Sequence, residues 1–463
     1  MKPFLVVAAL AFSLTGCMIG PNYHRPQVAV PDQFRSAAAT GPNSIADTKW
    51  FDLFQDDTLK QLVTTALANN FDLHIAAERV LEARANYGIT HAQLFPTLDA
   101  QAQFTATRSS SVGSFSFIPA GTSLATSFTQ AALSFNWEID LWGRIRRLSE
   151  AARAQYLASE EARNGVTISL ISDVMNTYFA LREQDLELGI SQQTRDVADY
   201  DLRLINLRHD RGAASGLDVH QAEQLLYIAT SQIESVKRSI GLSEDALNLL
   251  LGSSPADVPR GKSLEQIIAA PELPAGLPSS LIERRPDVRQ AEEDLIAANA
   301  QIGAAKALFF PQLSLTGLFG SQSRSLSDMF TGPARVASIG PAATLPIFHP
   351  GLRSGVQLTE AQKREMLVTY QKTIYGALRE VSDALVTHDR TRDQRIQEEK
   401  LVEVLSESVR LSTLRYSGGL DSYLQVLDAQ RSLFARQLIL AQLRAAELQS
   451  VVLLYRALGG GWQ

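Results

Sequence analysis

Few side chains in this sequence are placed to do chemistry. Its 463 residues include one cysteine (Cys17), seven histidines and five methionines. A lone thiol makes neither a disulfide framework nor a cysteine-cluster metal site. His209 and His220 stand eleven positions apart and face no acidic cluster, and so few soft ligands argue against a metal relay along the chain. There is no Gly-x-Ser-x-Gly elbow, no phosphate-binding loop and no His-Glu-x-x-His pair. The expectation is a protein that is not an enzyme, holds no metal and has no cofactor-binding residues. Asp428, one helical turn beyond Leu424, would by itself be an ordinary exposed helix carboxylate.

Composition narrows the classes further. The chain is long enough for two to four compact domains. It is 45% hydrophobic and 20% charged, ordinary values for a folded protein. With 43 basic and 49 acidic residues its net charge is −6, which excludes a broad basic footprint and with it nucleic acid as a partner. Past the N-terminus no run of 18 apolar residues occurs, so any membrane role would use strands or a lipid.

A lipid is what the N-terminus suggests. Lys2 precedes an apolar stretch from Phe4 to Leu14, too short to span a bilayer. Leu14-Thr15-Gly16-Cys17 then resembles the bacterial lipoprotein signal. That resemblance implies a signal peptide over 1–16. It also implies a mature chain starting at Cys17 and carrying diacylglycerol and N-acyl (palmitate-type) lipid. Met18, where an Asp would imply inner-membrane retention, favours the outer membrane. Residues 19–26 are punctuated by Pro and Gly and read as an extended tether.

The elements behind these residues come in duplicate. Residues 202–226 align without a gap to 409–433: Arg208 meets Arg415, Gly212 meets Gly419, Ser215 meets Ser422 and Leu217 meets Leu424. Phe95-Pro96 matches Phe310-Pro311. Each half predicts a helix ending at Phe-Pro (71–94 and 287–309), then two strands. A very long helix follows (about 143–211 and 351–417), then a glycine turn, then a second helix (217–251 and 423–458).

The strands alternate. Ala131, Leu133, Phe135, Trp137, Ile139 and Leu141 share one face; Ser134, Asn136, Glu138 and Asp140 lie on the other. Leu98, Ala100, Ala102 and Phe104 alternate with Asp99, Gln101, Gln103 and Thr105. In the second half Ile339, Pro341, Ala343, Leu345 and Ile347 form one face. A soluble sheet covering a core reads this way, and so does the wall of a membrane barrel. Four strands cannot close around a lumen, so a membrane reading requires several chains, and a trimer sharing twelve strands is the small solution. Trp137 and Trp142 fit either an interfacial belt or a core.

The helices are long for a globular domain. Residues 146–211 as one helix would measure about 100 Å. Leu367, Ile374 and Val381, with Leu378 and Leu385, and then Leu401, Val404 and Leu405, follow heptad-like spacing and predict helices packed side by side. The shorter helices of each half are expected to stack end to end beside the long ones.

These features together resemble the TolC-like outer membrane factors, in the OprM/NodT-type lipoprotein branch. The specific matches are Leu277 to Val288, Ala297 to Gly303, Phe310 to Gly317, Leu424 to Arg431 and Tyr455 to Trp462. The resemblance implies an α+β membrane protein whose duplicated half supplies two barrel strands and long coiled helices. Three chains would form a 12-stranded β-barrel and a periplasmic α-helical tunnel. By this resemblance 17–70 is a lipid-anchored tether and equatorial region, 71–252 the first repeat, 253–284 an equatorial linker, 285–458 the second repeat, and 459–463 a tail. The implied function is the outer membrane channel of a tripartite efflux system, of the kind that carries antibiotic resistance. Its implied partners are its own copies, outer membrane lipid, a periplasmic adaptor and an inner-membrane transporter of RND type.

The family also implies where the duct narrows. Leu424 would form an apolar collar at the threefold axis and Asp428 an anionic ring. Asp218 and Tyr416 match the positions of a gate link between the repeat turns. Asp421 stands where some members carry an Arg for an ionic latch. The turns 211–216 and 417–421 are either adaptor contacts or ordinary glycine caps. Two other classes compete with the duct. One is a structural envelope lipoprotein; the other is a surface-binding protein using the Ser109–Thr126 loop.

Overall fold

The computed structural model describes residues 18–35, 44–47, 49–110, 125–267 and 274–460. Cys17 and the leader, most of the Ser109–Thr126 loop, and residues 461–463 lie outside the described residues. In chain order come α1 (Asp57–Asn69), α2 (Phe71–Ala92), β1 (Thr97–Arg108), β2 (Ala125–Ile139), α3 (Arg144–Asp210) and α4 (Gly216–Leu250). The second half repeats the series from the second helix: α5 (Pro286–Ala307), β3 (Gln312–Ser323), β4 (Arg335–Thr344), α6 (Gly351–Ser417) and α7 (Tyr423–Ala457). The two longest helices, α3 and α6, are each 67 residues.

The chain gathers into two units that cut across the repeats. One comprises residues 1–26, 81–158 and 292–369 and holds the sheet. The strands pair antiparallel in the order β1-β2-β3-β4, so β1 and β4 are edges. Register puts Leu98, Phe135, Gly317 and Ile339 in one row, and Ala100, Leu133, Phe319 and Ala337 in the next row of that face. The opposite face carries Asp99, Ser134, Leu318 and Ser338 in one row and Gln103, Gln130 and Gln322 in another. Neither face covers a core. Leu98, Phe104, Phe319 and Ile339 are 65–76% exposed, and Ala132 is the buried residue among the strands. The sheet thus covers no core of its own chain among the described residues. The expected second-half face is too long: β4 ends at Thr344, and Leu345 and Ile347 lie beyond it. Pro346 follows at once, and without an N–H it cannot continue the ladder.

In this unit the segment read as a tether is a fixed strap. Arg147, only 2% exposed, donates to Ile19 O (3.2 Å), Gly20 O (3.3 Å) and Asn22 Oδ1 (2.8 Å). Asn299 donates to Pro21 O at 2.9 Å, and Arg25 grips Glu292 at 2.6 and 2.8 Å. Gly20 lies so close to Gly303 that a Cβ at either would strike the other segment. The segment is extended, as its Pro and Gly content suggests, but its hydrogen bonds leave it no slack.

The other unit comprises residues 27–80, 159–291 and 370–463 and is helical. On α6 the buried seam is Tyr370, Ile374, Ala377, Val381, Ala384 and Leu385. Of the expected heptad residues Ile374, Val381 and Leu385 are in it, whereas Leu401 and Val404 are exposed on the uncovered side of the helix. Asp56, 4% exposed, caps α1 at Thr58 N and Leu59 N and accepts from Tyr178 Oη at 2.7 Å. The shorter helices meet end to end as expected. Asn70 donates to Leu250 O at the end of α4 (2.9 Å) and caps α2 by accepting from Leu73 N (3.0 Å). At the equivalent place in the second half Arg285 donates to Ala457 O at the end of α7 (2.8 Å). By length and composition α7 could cross a membrane, yet over half of that window is buried within the protein.

Candidate functional site

The site residues expected from the sequence gather at one end of the helical unit. There α3 turns into α4 and α6 turns into α7. Both turns are built alike. Gly212 and Gly419 each take φ +73°, a left-handed conformation that suits glycine. Ala213 N donates to Arg208 O (2.7 Å), and Leu420 N donates to Arg415 O (2.9 Å), closing the same helix-ending loop in each half. Capping thus explains the glycines themselves.

The starts of the following helices differ. Ser215 caps α4 in a reciprocal box, its hydroxyl accepting from Asp218 N while Asp218 Oδ2 accepts from Ser215 N at 2.8 Å. Ser422 makes no side-chain cap. The second turn is instead clamped by Arg415, which donates to Asp421 Oδ2 at 2.5 Å. That bond holds the Asp421 carboxyl below the usual range.

The expected gate link is not formed between the described residues of a single chain. Asp218 is spent on its cap, and no bond joins it to Tyr416 among the described residues. Tyr416 instead stacks 5.5 Å from Tyr423 and carries the Arg208 guanidinium 4.8 Å above its ring. The spacing Ser215-x-x-Asp218 is readable as a capping pattern, and it was the signal that competed with the link. Asp421 also has an Arg partner, but on its own turn.

The tie that joins α3 to α7 here was not read from sequence. Gln430 Nε2 donates to Asp201 Oδ2 at 2.8 Å. Burial pushes the Asp201 carboxyl upward and the Gln430 bond opposes that shift. Tyr423, 4% exposed, sits in the same cluster with Ile205, Leu225, Val426 and Leu427. Burial, with Asp201 and Tyr416 nearby, pushes its phenol up.

On α7 the buried face is therefore Tyr423, Val426 and Leu427. Leu424 is 48% exposed and Asp428 is exposed too, on the side turned away from this cluster. Asp428 has no hydrogen bond or ion pair among the described residues. An apolar residue and an unpaired carboxylate one turn apart form a face with no partner in a single chain. His209 and His220, by contrast, are engaged locally, with Ala214 O at 3.0 Å and Glu223 Oε2 at 2.9 Å.

Comparison with known proteins identifies the family. The sequence profile of the outer membrane efflux protein family matches residues 62–253 and 277–460. The solvent efflux pump outer membrane protein SrpC of Pseudomonas putida is 41% identical over 457 residues, which are 97% of this chain and 96% of SrpC. The cation efflux system protein CusC of Escherichia coli is 34% identical over 468 residues, covering 100% of this chain and 99% of CusC. A crystal structure of a membrane protein from Pseudomonas aeruginosa, 36% identical, superposes with TM-score 0.89 over 96% of this chain and 100% of its own. With both repeats matched and relatives alike over nearly their whole length, the chain belongs to the outer membrane efflux protein family.

Proposed function

We propose that this outer membrane efflux protein works as a homotrimer. Three copies of the four-stranded sheet would close a twelve-stranded barrel, and the helices would continue it as a periplasmic tunnel. The observation that carries this reading is the sheet itself. It has one apolar face, one polar face, two unpaired edges and no core beneath it. Open edges are not tolerated in hydrocarbon, so such a sheet is a wall segment that needs further copies to close.

The duct needs no catalyst; its work is to connect two compartments and to open on demand. An inner-membrane transporter of RND type would load it through a periplasmic adaptor docked at the 211–216 and 417–421 turns. Cys17 would carry the lipid anchor. At the tunnel end Leu424 would make the apolar collar and Asp428 the anionic ring. Gln430–Asp201 and Arg208–Tyr416 would hold α7 and α6 against α3 in place of an Asp218–Tyr416 link. Opening would be a population shift between helix arrangements, biased by the adaptor. The decisive test is the protein mass of the detergent-solubilised mature chain by light scattering. Three chains per particle are expected. A stable monomer would overturn the shared barrel and favour a non-conducting structural lipoprotein.

A further inference from the structure

The apolar face of the sheet ends in two arginines. On β1 this face runs through Leu98, Ala100, Ala102, Phe104 and Ala106 to Arg108. On β4 it runs through Ala343, Pro341, Ile339 and Ala337 to Arg335. Both strand-to-strand turns lie at the arginine end, and every strand-to-helix junction lies at the other. The arginines therefore mark the outer limit of the face. Both are exposed, and neither guanidinium has a hydrogen bond or ion pair among the described residues. The Ser109–Thr126 loop beside Arg108 contains no acidic residue. The turn between β3 and β4 contains one, Asp328, whose carboxylate accepts from Ser327 at 3.4 Å.

Magnitudes set the level of these groups. From Leu98 to Arg108 the strand runs roughly 33 Å at about 3.3 Å per residue. At a barrel tilt near 40° that is roughly 25 Å of membrane height, the usual apolar band. A guanidinium on the lipid face costs about 2–4 kcal/mol at the midplane and close to nothing at the rim. Arg108 thus falls at the headgroup level, where phosphates are the available anions. Ala343 to Arg335 runs about 26 Å, or roughly 20 Å of height. The Arg335 backbone therefore lies roughly 5 Å lower, and its long side chain reaches up to that level. The two arginines also sit on the two edge strands. Closing the sheet with copies brings β4 of one chain beside β1 of the next, so each seam carries one Arg335 and one Arg108.

We propose that each seam binds the phosphate of an outer-leaflet lipid between Arg335 and Arg108. Guanidinium groups suit this task because each can donate two parallel hydrogen bonds to phosphate oxygens. Exposed Phe104, Phe319 and Ile339 continue the same face inward and would carry the acyl chains. That continuity selects a phosphorylated lipid over free phosphate. The inference rests on the closed-barrel reading above.

The test uses the full mature protein in detergent with three probes: a bis-phosphorylated glycolipid, the same glycolipid stripped of phosphate, and inorganic phosphate. Binding is read by native mass spectrometry and by melting temperature. The phosphorylated glycolipid should bind and stabilise the particle. The stripped one should bind about tenfold more weakly, as expected on losing charge-assisted hydrogen bonds. Equal binding of the two glycolipids overturns the proposal, and so does equal stabilisation by inorganic phosphate. The double variant Arg108→Gln/Arg335→Gln should lose about tenfold in bound glycolipid with chain count and conductance unchanged, while Arg108→Lys/Arg335→Lys keeps part of it. A double glutamine variant that retains the lipid as wild type does overturns it. Should that variant fail to assemble, the glycolipid pair on the wild type decides. A wild-type monomer that does not conduct would sink the barrel reading and the seam with it. A conducting trimer indifferent to lipid phosphate would sink the seam alone.

Discussion

Gln430 and Asp201 are joined by one 2.8 Å hydrogen bond between α7 and α3, two residues along α7 from the exposed Asp428. The bond fixes the helix that presents the Leu424–Asp428 face. Gln430→Ala would leave a half-buried carboxylate without its donor, at a cost of about 1–3 kcal/mol. The expected outcome is a higher mean single-channel conductance in planar bilayers and a lower melting temperature. A conductance equal to wild type would show that this tie does not hold the closed arrangement.

Asp428 makes a separate prediction because no described residue of its own chain pairs with it. Three such carboxylates around an axis repel one another and attract cations. Asp428→Ala should raise conductance and shift the reversal potential in a salt gradient toward anions. Asp428→Asn, which keeps the size, should show the selectivity shift with a smaller change in conductance. If both variants match wild type, Asp428 is not part of the constriction.

The strap depends on Arg147. Removing a buried guanidinium strands Ile19 O, Gly20 O and Asn22 Oδ1 together, a loss of about 3 kcal/mol or more. Arg147→Ala should release residues 18–26 and speed chymotryptic cleavage after Tyr23 by well over tenfold. Gly303→Ala should act the same way, because its Cβ would meet Ile19 O at 2.6 Å. Cleavage at the wild-type rate in both would mean that other contacts hold the strap.

A pH effect is expected from α3. Burial raises the Glu183 carboxyl from 4.5 to about 7, with Glu187 one turn away adding to the shift. Glu187 is itself raised by burial, against a hydrogen bond from Gln442. A carboxyl whose folded pKa exceeds its unfolded value binds more protons when folded. Its burial therefore costs stability increasingly as pH rises from about 4.5 through 7. Helix melting followed by circular dichroism should come earlier at pH 8 than at pH 5.5. Glu183→Gln should raise the pH 8 midpoint and flatten the difference; an unaltered profile would place the titration elsewhere.

The helix ends and the existence of the strands, though not the strand limits, were legible because their signals are local. Phe95-Pro96 and Phe310-Pro311 stop helices, and period-two alternation marks the strands. The joint between helices was not legible. Asn70 and Arg285 do the same job with different chemistry, so comparing the repeats by identity passes over them. The α6 seam was half legible, since Ala377 and Ala384 pack closely without the bulk that heptad reading counts. The Leu424–Asp428 pair was visible through the family likeness alone, and the structure adds that it is exposed and unpaired. The Asp201–Gln430 tie spans α3 and α7, and no local pattern announces a bond over that separation.

The strand order β1-β2-β3-β4 has a consequence for timing. β2 is complete at Ile139, but its neighbour β3 begins only at Gln312, after α3, α4 and α5 have all been made. At roughly 5–20 residues per second of synthesis, the first hairpin waits on the order of ten seconds or longer for its partner. A two-stranded hairpin is marginal in water by itself, and this one carries exposed Phe104 and Leu133. During export its unpaired edge is open to any stray strand. Until β3 pairs with it, that edge is where the chain can mispair.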